Sequence, residues 1–164
     1  MNLKKAANAV LLMFVAASLV VLVVKNLRQW LGSATPAGQS ADDMPTVSDG
    51  VIACYMHGEV RCAQCSRIEE YAGKAITKGF PEELKAKELY WCVVNYDAPG
   101  NEHWMTDYRL VGPSLVLVRM RAGSRTRWKS LPEAWQLVGD KPAFIEFVQE
   151  NVRAFLDGST EVKH

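Results

Sequence analysis

No acidic residue precedes Asp42, although the chain of 164 residues carries 18 of them. Four of the 19 basic residues, Lys4, Lys5, Lys25 and Arg28, do lie in that opening stretch, so the remainder holds 15 basic against 18 acidic side chains, a net of −3. Phosphate binding needs a basic surface, and its absence from the larger part of the chain excludes nucleic acid as the main partner. The sequence also lacks any internal repeat, which excludes a repeat array. Low complexity is confined to one stretch between about Gly32 and Gly50. With 49% apolar and 23% charged residues, the composition is that of a globular protein and not of a disordered one.

What is present begins with an apolar run. Ala6 to Val24 spans nineteen residues interrupted only by Asn8 and Ser18. At 1.5 Å per residue, a helix of that length covers roughly the 30 Å of a bilayer core. The run is apolar on every face, unlike a helix laid on a protein core. Lys25, Asn26, Leu27 and Arg28 follow it directly where a cleaved signal peptide would show small residues, so an uncleaved transmembrane anchor is expected over residues 1–31. Lys4 and Lys5 balance Lys25 and Arg28 across the membrane; the commoner arrangement, amino terminus inside and domain outside, is the expected one. The stretch GSATPAGQSADDMPTVSDG has no hydrophobic period and reads as a flexible tether over residues 32–49. A folded domain of roughly 110 residues, 50–157, and a disordered tail, 158–164, complete the expected organisation.

Within the domain, Val51 to Met56 reads as a buried strand that runs into a loop at His57 and Gly58. Ile68, Tyr71, Ala72, Ala75 and Ile76 recur at helical spacing, so a helix begins at or within the preceding cysteine pair and is broken by Gly79, Phe80 and Pro81. Pro81 to Lys87 adds a turn or two, and Leu89 to Asn95 is a second strand by its β-branched and aromatic residues. Pro99 to Tyr108 reads as a short helix. Ser114 to Met120 reads as a third strand, joined across Arg121 to Thr126 to a fourth at Arg127 to Ser130. Phe144, Phe147, Val148, Val152, Phe155 and Leu156 mark a closing helix. Strands alternating with helices, then a hairpin and a terminal helix, predict an α/β fold with a mixed sheet flanked by helices.

Cys62-Ala63-Gln64-Cys65 carries the chemistry. On the first turn of a helix two thiols three residues apart face each other, and the leading one stays exposed. Unpaired N–H groups and the helix dipole there favour a thiolate, and Arg61 adds a positive charge beside it. Cys62 would attack a disulfide and Cys65 would resolve the intermediate. A structural disulfide and a metal site are the alternatives. Cys54 and His57 form a C-x-x-H ahead of the C-x-x-C, yet three residues apart on a strand they point to opposite faces. Cys92, mid-strand, reads as a small buried core residue. Pro113, which cannot donate to a ladder, reads as the start of the third strand, and in cis it would turn the backbone toward the cysteines. Asp97 reads equally as a helix cap or a catalytic group, and Trp104 and Tyr108 as core residues.

The residues VIACYMHGEVRCAQCSRIEEYA, VVNYD and YRLVGPSLVLV resemble the thioredoxin-like superfamily over about Val51 to Leu156. More narrowly, HGEVRCAQCSRIE and the continuation NEHWMTDYRL are similar to the bacterial ArsF family, named as a subunit of a nitrophenyl compound nitroreductase. The resemblance implies a thioredoxin-like fold, Cys62 as attacking thiol, Cys65 as resolving thiol and Pro113 as a cis-proline facing them. Arg61 stands where thioredoxins usually have an aromatic residue, Ala63-Gln64 replaces their Gly-Pro, and their buried acid has no clear counterpart. The expectation is therefore a membrane-anchored thiol-disulfide oxidoreductase or electron-transfer protein that requires no cofactor. Its partner would be a protein thiol or disulfide, or a membrane redox protein. Its place would be the bacterial inner membrane, crossed once, with the domain on the periplasmic side. The alternatives are a soft-metal or arsenite-binding module and a non-catalytic subunit of a reductase complex.

Overall fold

The computed structural model describes residues 43–158. The expected anchor at 1–31, most of the tether and the tail beyond Gly158 lie outside the described residues. Among the described residues no helix is long and apolar enough to cross a membrane.

The apolar run of β1 (Gly50–His57) is buried along nearly its whole length because the strand is flanked on both sides. On one side it pairs in parallel with β2 (Leu89–Asn95), and on the other antiparallel with β3 (Ser114–Arg121). β4 (Ser124–Ser130) pairs with the far side of β3, giving the order β2-β1-β3-β4. α1 (Ala63–Gly79) and the short α2 (Pro81–Lys85) connect β1 to β2, and α3 (His103–Asp107) lies between β2 and β3. A 3-10 turn (Pro132–Leu137) and α4 (Lys141–Leu156) close the chain. A βαβ half joined to a ββα half, with the first strand central, is the thioredoxin-like arrangement.

Alternation along the strands divides the core into two layers. Val51, Ala53, Tyr55, Leu115 and Leu117 face α1 and α4, whose Ile68, Ala72, Ile76, Phe144, Val148 and Val152 fill that side. Ile52, Cys54, Met56, Val94, Val116 and Val118 form the other layer with Met44, Tyr96, Tyr108 and Leu110. Tyr108 is fully buried there and Trp104 partly, as core residues.

Several elements depart from the sequence reading. The connection between β3 and β4 is not six residues long but two: Ala122 and Gly123 both have positive φ, 50° and 72°, the conformation of a two-residue hairpin turn that matches strand twist. β4 therefore starts at Ser124 instead of Arg127. α3 is shorter than the expected Pro99–Tyr108, because Asn101 donates its side-chain amide to the Asn95 carbonyl at 3.0 Å and holds the preceding residues in a turn. Cys92 is no free core thiol. It is half-buried on β2, directly opposite Cys54, and the two form a disulfide. The backbone between Gly112 and Pro113 is trans, since no cis peptide bond occurs among the described residues. Trans is the intrinsic preference of an X–Pro bond, and on its other side the Pro113 carbonyl accepts a hydrogen bond from Trp135 Nε1 at 2.7 Å.

Candidate functional site

β1 ends at His57, and the four residues 58–61 carry the chain to α1. Three hydrogen bonds fix this connection. The Glu59 amide donates to Asp97 Oδ2 at 2.8 Å, Asn95 Nδ2 donates to Glu59 Oε2 at 3.0 Å, and the Asp97 amide donates to Asn95 Oδ1 at 3.0 Å. Asp97 thus braces the loop ahead of the cysteines from the end of β2 and does not cap the following helix, whose N-cap is Glu102. A Cβ at Gly58 would stand 2.6 Å from Asp97 Oδ2, so a larger residue there would displace the Asp97 brace.

Cys62 is the N-cap of α1. Its backbone is extended, and its Sγ accepts the Cys65 amide at 3.0 Å. A sulfur held against a free N–H of a helix's first turn occupies a position where negative charge is stabilised, with no acidic residue in that turn to oppose it. Cys62 and Cys65 form a disulfide with Cα atoms 5.1 Å apart. The two sides of the bond differ: Cys62 is exposed, and Cys65 is 4% exposed on the inner face of the helix. An incoming nucleophile therefore meets Cys62, with Cys65 as leaving group.

Arg61 does not act as an isolated charge. Its guanidinium pairs with Glu69, two turns into α1, which offsets the positive field expected beside Cys62. His57 is buried at the strand end and its Nδ1 lies 2.7 Å from the Gly58 carbonyl; a carbonyl only accepts, so Nδ1 carries the proton. Tyr55, on the layer facing α1, is fully buried, and its hydroxyl has no hydrogen-bond partner. Burial pushes its pKa up to about 12, against the opposing charge of Arg61. Nothing in the sequence singles out Tyr55, since an aromatic in a strand is ordinary core material.

The register that places Met56 opposite Ser114 brings the loop before β3, and with it Pro113, to the same end of the sheet as the cysteine pair. Pro113 borders a groove of about 220 Å³ whose lining includes Arg109, Val111, Ser130 and Trp135. Among the described residues the large apolar side chains left exposed are Val60 and Val111. One lies on each of the two loops at this end.

The structure agrees with the strand geometry that sets Cys54 and His57 apart. Cys54 faces the opposite layer from Tyr55 and is spent in the bond to Cys92. No group of three or more His, Cys, Asp or Glu able to hold a metal occurs among the described residues.

No family model matches this chain, and no curated protein matches it. Among solved structures, the zinc-bound form of human ERp44 aligns with a TM-score of 0.42 at 18% identity, covering 66% of this chain and 27% of that one. A malarial protein aligns with a TM-score of 0.36 at 17% identity, over 60% of this chain and 97% of the other. The chain thus spans about a quarter of the length of ERp44. The fold assignment rests on strand order and connectivity.

Proposed function

We propose that this thioredoxin-fold chain is a thiol-disulfide oxidoreductase in which Cys62 exchanges with a partner's sulfur, Cys65 resolves the mixed disulfide and Pro113 borders the bound segment. One observation carries the reading: an exposed sulfur at the N-cap of a helix is bonded to a buried one in the same turn. In the reducing direction the Cys62 thiolate attacks a partner disulfide and expels one partner thiolate. Cys65 then attacks Cys62 Sγ and expels the second, leaving the partner as a dithiol and this chain as the disulfide. The oxidising direction is the reverse. Exposed Val60 and Val111, on the two loops at the same end of the sheet as the pair, favour a polypeptide partner over a small polar molecule.

The same reading takes the apolar run at 6–24 as a membrane anchor holding the domain outside the inner membrane, where disulfides persist. The role implied by the ArsF resemblance, electron delivery to a dedicated reductase, would use the same couple. Replacing Cys65 by Ser removes the resolving thiol. The expected outcome in cells is accumulation of mixed disulfides on Cys62, absent when Cys62 is also replaced. A single trapped partner would favour dedicated delivery, several would favour a general oxidoreductase, and none would sink the redox assignment. Labelling of Cys62 in intact, reduced cells by a thiol reagent that cannot cross the inner membrane tests the outward orientation.

A further inference from the structure

The disulfide between Cys54 and Cys92 lies on the other face of the sheet from α1 and its N-cap. The two residues are partners in the parallel register of β1 and β2, with Cα atoms 4.6 Å apart. Both belong to the layer with Ile52, Met56 and Val94, whereas Tyr55 and the α1 residues form the opposite layer. The parallel ladder continues on either side of the pair, Ala53 opposite Trp91 and Tyr55 opposite Val93, so the two cysteines are aligned by backbone pairing as well as by the bond. Cys62 and Cys65, across the sheet, are in no position to take part.

The two ends of this bond also differ. Cys54 lies on the central strand and is 0% exposed, whereas Cys92 lies on the edge strand β2 and is only half-buried. We propose that Cys54–Cys92 is a second thiol-disulfide exchange site, opened and closed by small thiols and their disulfides through Cys92 alone. The sulfur sits in a sheet face, not on a raised loop, which admits a small thiol in preference to the cystine of a folded protein.

The chemistry balances in two steps. A thiolate RS⁻ attacks Cys92 Sγ, the bond to Cys54 breaks, and its electron pair goes to Cys54 sulfur, which takes up the proton given up by RSH. A second RS⁻ then attacks the RS sulfur of the mixed disulfide and releases RSSR and the Cys92 thiolate. Two small thiols are oxidised and one protein disulfide is reduced; closing the bond runs the steps backward with RSSR as oxidant. Cys54 departs into an apolar layer that disfavours its thiolate, so this pair opens more slowly, and at a more reducing poise, than Cys62–Cys65.

The test uses the full-length chain with Cys62 and Cys65 both replaced by Ala, so that its outcome is independent of the first site. In that background, Cys54→Ala and Cys92→Ala are each exposed to oxidised glutathione and weighed by intact mass spectrometry. The expected result is one glutathione adduct on the Cys54→Ala protein, which keeps Cys92, and none on the Cys92→Ala protein. Adducts on neither, or equally on both, overturn the proposal. A second measurement keeps the pair intact: the background protein is equilibrated across a glutathione series and pulse-alkylated while circular dichroism follows the fold. Reversible opening with Cys92 labelled at least about tenfold faster than Cys54, and the fold retained, is the expected result. A pair that stays closed throughout, or opens only as the domain unfolds, refutes it.

Discussion

Tyr55 places a hydroxyl without a partner in the layer beneath α1, and this has a pH signature. In the folded chain its pKa is held at about 12, above the ordinary 10.0, because burial disfavours the phenolate. The unfolded chain ionises first. Stability that depends on keeping this group neutral is complete below about pH 10 and is lost as pH rises from there toward 12. Tyr55→Phe should therefore match or exceed the parent in thermal midpoint at pH 7, where it removes an unsatisfied polar group. It should also lose less between pH 10 and 12, as followed by thermal melts at each pH. A phenylalanine variant with the same alkaline loss as the parent would show that Tyr55 does not cause it.

At the scale of the element, the N-terminus of α1 carries the candidate chemistry, and the Arg61–Glu69 pair tunes it. The helix end favours a Cys62 thiolate, whereas Glu69 partly cancels the adjacent guanidinium. Glu69→Gln leaves Arg61 uncompensated and removes a negative charge from the same helix. Alkylation of reduced Cys62 should then reach its half-maximal rate at a pH lower by roughly half a unit, the scale of a surface ion pair. Arg61→Gln should move it the other way. An unchanged alkylation profile in both variants would mean that the helix end alone sets the reactivity of Cys62.

For the whole molecule, the Cys54–Cys92 bond joins residues 38 apart in sequence and so ties β1 to β2 across α1 and α2. Closing a loop of that length in the unfolded chain corresponds to about 4 kcal/mol of stabilisation on loop entropy. Replacing both residues by Ala should lower the urea unfolding free energy by up to that amount, with Cys62–Cys65 still closed. A loss under about 1 kcal/mol would mean that the parallel ladder and the apolar layers hold the strands together without the bond. Arg119 makes a comparable tie without covalent chemistry: its guanidinium donates to the carbonyls of Phe155 and Leu156, fastening β3 to the end of α4.

The local sequence by itself determined much of the site. A C-x-x-C between a continuous apolar run and a helical apolar period can hardly sit elsewhere than at a strand-to-helix junction, and Cys62 is the N-cap there. Leu89–Asn95 forms β2 as read, because its β-branched and aromatic residues suit a strand of a covered sheet. Non-local partners decided the rest. Periodicity assigns Cys54 and Cys92 to strands but says nothing of register, and only the β1–β2 ladder puts them opposite each other. The same blindness hid the ion pair that offsets Arg61 and the brace from Asp97 to the Glu59 amide, 38 residues away. It also underlies the trans bond at Pro113, where the proline was legible as a strand start but its isomer was not. Sequence pattern reports which face of an element is apolar; which atoms meet across elements is settled only when those faces pack.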